Sequence, residues 1–192
     1  MTIRESGMPA QAYWETLFDV PLILDAFGFN TDTIGPVAEL GCGYGTFTVP
    51  LAQRLSHAIH ALDVDPAMVA TTAARARAAG LTHVHASVRD ALTEGFGLPP
   101  ASCAAVLLFN ILHAEDPVGL LCTARDLVRP GGQIAVIHWR SDLPTPRGPS
   151  VAIRPTPAQI LNWAAAAGGL TPPAATLDLP PWHYGLNFLR TP

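Results

Sequence analysis

Short apolar runs alternate with segments that open on a capping residue followed by proline, and this alternation constrains the fold more than any other feature of the 192 residues. The runs are Val37-Ala38-Glu39-Leu40, Ala58 to Val64, Val84 to Val88, Cys103 to Phe109 and Gln133 to Trp139. Near-continuous apolar strands of this kind suit a parallel sheet covered on both faces. Asp65-Pro66, Asp116-Pro117 and Thr156-Pro157 each place an N-cap side chain before a proline, which a first helical turn tolerates because its N–H has no partner there. Gly80 and Gly168 stop two of these helices, and the third ends before Pro130-Gly131-Gly132. Ala174 to Leu179 and Trp182 to Arg190, joined by Pro180-Pro181, read as a closing hairpin-like pair. Strands alternating with helices require right-handed crossovers. The expected architecture is therefore α/β: a doubly wound, seven-stranded sheet, mostly parallel, with one antiparallel C-terminal strand. No linker or repeat interrupts the pattern, so residues 1–192 read as a single domain, with an N-terminal helical cap over 1–35 and the core over 36–192. In the cap, Tyr13, Trp14, Leu17 and Phe18 recur at helical spacing, a stripe that serves either packing or a lid.

Ligands of doubly wound sheets sit beyond the carboxyl ends of the strands, near the point where strand order reverses. There the first strand runs into Gly41-Cys42-Gly43-Tyr44-Gly45, whose glycines permit a tight turn and let a ligand approach bare backbone. The second strand ends in Asp63-Val64-Asp65. A carboxylate at that point can accept hydrogen bonds from both ribose hydroxyls of an adenosine. Asp65 precedes Pro66 and reads as the helix cap, which leaves Asp63 for the ribose. A nicotinamide-dependent dehydrogenase is disfavoured, because its fingerprint needs glycine where Thr46 stands.

The series Glu39 to Gly45, Asp63, Arg89-Asp90-Ala91, Asn110-Ile111-Leu112-His113 and Arg129-Pro130-Gly131-Gly132 resembles the ordered motifs of class I S-adenosylmethionine-dependent methyltransferases, those that act on small metabolites. The resemblance runs from about Val37 to Arg190 and implies a Rossmann-like fold with S-adenosylmethionine as cofactor. It implies that Gly41, Gly43 and the Cys42 backbone line the methionine moiety, with Gly45 completing the cofactor loop and Glu39 near the amino group. It further implies that Asp63 holds the ribose, Val64 and Met68 pack on adenine, Asp90 and Ala91 meet the adenine edge, and Asn110 and Ile111 touch the methionine end. Arg129 to Gly132 are read as a turn before the fifth strand.

On the acceptor side, His113 follows the fourth strand and is the candidate base, with a loop histidine bonded to backbone as the alternative. Trp139, Arg140 and the proline-rich stretch Pro144 to Arg154 leave the fifth strand; with Tyr13, Trp14 and Tyr184 they are the substrate-side candidates. Arg140, Arg147 and Arg154 are candidates to meet an anionic acceptor. The net charge of −4 and the lack of a basic stripe argue against a nucleic-acid partner. No Asn/Asp-Pro-Pro-aromatic motif follows the fourth strand, and no cysteine follows a proline, so amide, exocyclic-adenine and cytosine-C5 methylation are disfavoured. The first twenty residues have no apolar core and no run reaches bilayer length, so no membrane partner is expected. Cys42, Cys103 and Cys122 have no CxxC spacing, which fits a reducing cytoplasm. The pairs His57/His60 and His83/His85 have no further ligand at metal spacing, so no metal is expected. The reading is methyl transfer to the O, N or S of a small molecule. A non-catalytic S-adenosylmethionine-binding module is the alternative, and the pattern does not address oligomeric state.

Overall fold

The structure is a computed structural model that describes residues 7–192. Strands β1 (Val37–Leu40), β2 (Ile59–Asp63), β3 (Val84–Val88), β4 (Cys103–Phe109), β5 (Val128–Trp139), β6 (Leu170–Thr171), β7 (Leu177–Leu179) and β8 (His183–Arg190) form one sheet. Helices α1 (Gln11–Glu15), α2 (Val20–Ala26), α3 (Thr48–Arg54), α4 (Pro66–Ala78), α5 (Ala91–Glu94), α6 (Pro117–Leu127) and α7 (Pro157–Ala167) connect and cover it. The strand order is β3-β2-β1-β4-β5-β8-β6, with β7 also on β8. β1 to β5 pair in parallel and β8 runs antiparallel to β5.

The sheet has eight strands where seven were expected, and the register explains the difference. β7 pairs His183 to Gly185 while β6 pairs Leu189 and Arg190, so both occupy the edge of β8 opposite β5. They fill one strand position in two pieces. The other correction concerns Arg129 to Gly132, which lie within β5 rather than before it. Cys103 pairs with Val128 and Ala105 with Gln133, so the intervening residues bulge out of the ladder. Pro130 is exposed there and needs no ladder donor. A side chain on Gly132 would place its Cβ 2.7 Å from the Ala104 carbonyl oxygen, so only glycine fits against β4.

Period-two alternation divides the core between the two faces of the sheet. Ala38, Leu62, Val106, Ile134 and Leu186 pack with α6 and α7 on one side. Val37, Ile59, Leu107, Ala135 and Ile137 pack with α2, α3 and the aromatic N-terminal segment on the other. The three capping-residue–proline starts are all observed. Asp65 accepts from Ala67 N, Asp116 from Gly119 N, and Thr156 forms a reciprocal capping box with Gln159. Strand order reverses between β1 and β4, so the chain leaves their carboxyl ends towards opposite faces of the sheet and opens a crevice.

Candidate active site

A cavity of about 770 Å³ fills that crevice. Its floor is the loop after β1, where Gly41 to Tyr44 face it, and the ends of β2 and β4 supply Asp63, Val64, Asn110 and Ile111. Asp90, Ala91 and Met68 close one side. Asp63 Oδ2 accepts from Gly43 N at 2.9 Å and Oδ1 from Asp65 N at 3.0 Å, so one carboxylate ties β2 to the glycine loop. Asp65 is engaged as the α4 cap, as its proline neighbour predicted. Asp90 caps α5 through Leu92 N and also lines the cavity. Asn110 adopts φ of 57°, a left-handed conformation that Asn tolerates better than most residues. Its amide oxygen is buried with no hydrogen-bond partner among the described residues.

Two predicted cofactor residues lie elsewhere. Gly45 faces α4, where a Cβ would stand 3.0 Å from Thr72 Oγ1; it is a packing glycine. Glu39 points from β1 towards α3, buried, with Thr48 Oγ1 donating to its Oε2 at 2.5 Å. Burial pushes its carboxyl up to about 8, the Thr48 hydrogen bond opposing and the charge of Asp63 adding. Neither is part of the cavity wall. Burial, and secondarily the nearby Glu39, also holds the Cys42 thiol protonated, which makes it a small wall residue without thiolate chemistry.

The opposite wall comes from the aromatic N-terminal segment and the loop after β5. Trp14, Phe47, Phe109 and Trp139 present apolar surface, with His113 and Arg147 as the polar groups among them. Trp14 stands edge-on to Phe18 at 4.9 Å and near Trp139 at 6.3 Å. Only part of the predicted N-terminal stripe therefore meets the cavity: Leu17 and Phe18 are buried packing, and Tyr13 faces solvent. Tyr44 Oη donates to the Pro9 carbonyl and Arg147 to that of Gly7, so both lips of the cavity are tied to the N-terminal segment.

The remaining arginines and Tyr184 are corrected by their partners. Arg140 pairs with Asp142 at 2.6 Å and Asp178 at 3.4 Å, and with Tyr184 it lines a separate groove. Tyr184 donates its hydroxyl to the Pro155 carbonyl at 2.6 Å, and burial raises its ionisation further out of reach. Arg154 is buried and donates to the carbonyls of Pro149, Arg140 and Arg147 and to Thr145 Oγ1. It knots the loop. Of the three, Arg147 alone reaches the cavity.

His113 is buried at the cavity wall with Nδ1 3.2 Å from His138 Nε2. His138, at the end of β5, was not singled out by sequence because nothing in a strand-end histidine distinguishes it from a packed one. Burial holds its ring neutral, aided by His113, His183 and the Arg154 cation. Among the described residues, no three His, Cys, Asp or Glu side chains form a metal-binding group.

A family profile described as "Methyltransferase domain" matches residues 37–132. Solved structures share the fold at low identity. One is a SAM dependent methyltransferase from Aquifex aeolicus, 18% identical with a TM-score of 0.81 over 94% of each chain. Geranyl diphosphate C-methyltransferase from Streptomyces coelicolor A3(2), bound to Mg2+, geranyl diphosphate and S-adenosyl-L-homocysteine, is 15% identical with a TM-score of 0.72, covering 90% of this chain and 78% of its own. The 4+2 cyclase SpnF is 16% identical with a TM-score of 0.73, covering 96% of this chain and 84% of its own. No curated protein sequence matches the chain.

Proposed function

The chain belongs to the methyltransferase domain family, whose cofactor is S-adenosylmethionine, and from that premise we propose that it methylates a compact small molecule, with His113 accepting the acceptor's proton. The observation that carries this reading is the two-sided cavity. One side offers hydrogen-bonding groups suited to an adenosyl amino acid, and the other is an aromatic wall broken by one imidazole and one guanidinium. A carboxylate at the β2 end, backbone bared by glycines and an orphaned buried amide oxygen at Asn110 fit the cofactor. Asp63 would hold the ribose, with Val64 and Met68 against adenine, Ala91 and Asp90 at its edge, and Gly41, Gly43, Asn110 and Ile111 around the methionine end.

When bound, S-adenosylmethionine supplies a methyl group activated by its sulfonium. The chain's own contribution is to hold the acceptor in line and to exclude water; positioning of this kind is worth up to about 7–11 kcal/mol. Trp14, Phe109 and Trp139 grip an apolar acceptor body, and Arg147 meets an anionic substituent. His113 takes the proton that an O–H, N–H or S–H acceptor gives up, becoming imidazolium, and then returns it to solvent. Among the described residues Arg54, Arg75, Arg89, Arg125 and Arg140 are ion-paired and Arg154 is buried, which speaks against a nucleic-acid acceptor. Among the described residues no helix is long and apolar enough to cross a membrane. The three free cysteines support a reducing cytoplasmic setting, and the contacts tying the N-terminal segment to both cavity lips support one domain.

Methyl-labelled cofactor and fractionated cell extract test the reading, with label expected in a small-molecule product. Label confined to protein or nucleic acid overturns it. S-adenosylhomocysteine at a hundredfold excess over its Kd should also stabilise the fold by about 2.7 kcal/mol, a rise in Tm of roughly 5–10 °C.

A further inference from the structure

We propose that His138 is a positioning residue that fixes His113 in the Nδ1–H tautomer, so that the ring's lone pair lies on Nε2. This rests on the reading of His113 as proton acceptor, and it adds the residue that sets its protonation state.

The donors and acceptors around the two rings fix the tautomers. His138 Nδ1 lies 3.4 Å from the Trp139 carbonyl oxygen. A carbonyl only accepts, so a proton on Nδ1 makes this contact favourable, and a lone pair there makes it repulsive. A neutral imidazole carries one N–H, so His138 Nε2 is then an acceptor. The partner facing it at 3.2 Å is His113 Nδ1, which must donate. Neutral His113 has its single proton on Nδ1 and its lone pair on Nε2. Protonating His138 instead would relieve the constraint, but its ring is fully buried among Tyr184, His183 and His113, with the Arg154 guanidinium nearby. Burial and these neighbours hold it neutral, so it does not serve as a second proton acceptor.

The surroundings secure the geometry. His138 sits in the β5–β8 ladder opposite Tyr184, which fixes its backbone, and the fully buried ring is packed against His113 and Tyr184. Gln at this position carries a carbonyl oxygen able to accept from His113 Nδ1, whereas Leu fills similar space with no acceptor.

The test is long-range 1H–15N correlation of the imidazole nitrogens in 15N-labelled protein without acceptor. The seven histidines are assigned by single substitution. The expected result is that His113 and His138 both appear as Nδ1–H tautomers, the form that an unconstrained imidazole in water populates less. In His138→Gln the His113 signals should stay in that form, and in His138→Leu they should move to the Nε2–H form. With any acceptor that turns over, His138→Leu should lower kcat by roughly tenfold or more, out of the ~10²–10⁴ a positioned base contributes, with KM little changed and His138→Gln restoring most of it. An Nε2–H His113 in the wild-type spectrum overturns the proposal even if methyl transfer occurs. The expected tautomer with turnover insensitive to His113→Ala instead overturns the base reading and leaves the assigned geometry standing. Should His138→Leu fail to fold, the wild-type and His138→Gln spectra decide.

Discussion

Replacing Asp63 with alanine should damage both stability and cofactor affinity, and the two effects have separable sources. The carboxylate accepts from Gly43 N and Asp65 N, at 2.9 and 3.0 Å. A hydrogen bond to a charged group contributes roughly 1.5–3 kcal/mol, and the half-exposed position puts each of these at the lower end. Losing both should cost about 2–3 kcal/mol, a fall in Tm of roughly 5–10 °C for a domain of this size. Affinity should drop further, because the ribose partner is lost and Gly43 is no longer tethered; tenfold or more is expected. Asp65→Ala is the control. It removes a cap bond to Ala67 N, costing about 1 kcal/mol, and leaves Asp63 with both of its backbone donors. Thermal melts and calorimetric titration with S-adenosylhomocysteine measure both quantities on both variants. Equal affinities for Asp63→Ala and Asp65→Ala would refute the assignment of the ribose to Asp63, and an unchanged Tm for Asp63→Ala would refute the tether.

Two further outcomes follow from buried groups, and a third from a glycine in the left-handed region. Glu39 has its carboxyl raised from 4.5 to about 8, so the folded state binds more protons than the unfolded state between those values. Its contribution to stability should therefore decline as pH rises through that window, by at most about 1.4 kcal/mol per pH unit, and Glu39→Gln should flatten this slope in urea melts. His183 shows the opposite behaviour: burial lowers its ring from 6.5 to about 3, so stability falls as pH drops through that range, and His183→Phe should lessen the loss while keeping the stack on Phe18. Gly148 has φ of 106°, and a Cβ there would meet the Trp139 ring at 2.9 Å, so Gly148→Ala should cost about 1–3 kcal/mol and alter tryptophan emission.

The cavity lining at the strand ends was legible in sequence, because strand ends follow from the apolar runs and the capping prolines. Asp63 and Asp65 could be told apart on the proline alone. Gly45 and Glu39 fall outside the cavity lining, because a motif specifies spacing and leaves side-chain direction open. Alternation puts Glu39 on the Val37 face of β1, under α3, and Gly45 is small to admit Thr72. The acceptor wall was less legible, since it is built from loops whose shape depends on distant partners. Three arginines looked equivalent in sequence, and only the fold shows that Arg154 is spent on four loop oxygens and Arg140 on two aspartates. β6 has two residues and carries no period to read, which is why the count of strands fell short.

The placement of unfavourable features marks the same site without reference to any motif. Buried polar atoms lacking partners cost roughly 1–3 kcal/mol each, and a fold retains them where something else is gained. Among the described residues, Thr46 and Asn110 carry such atoms, and both line the cavity. His183 carries two more; it pairs with Trp139 across β5–β8, and Trp139 forms the aromatic wall. Asn110 adds left-handed backbone at the end of β4, whereas Ala101, with φ of 55°, lies outside the cavity lining. Asn187, paired with Ala135 farther along the same ladder, stands apart from the cluster. At Pro66, Pro117 and Pro157 the helices begin in caps that satisfy their own donors. Local rules are therefore obeyed where the chain builds its scaffold and broken mainly around one crevice, as expected when strain and unsatisfied polarity are kept for a ligand.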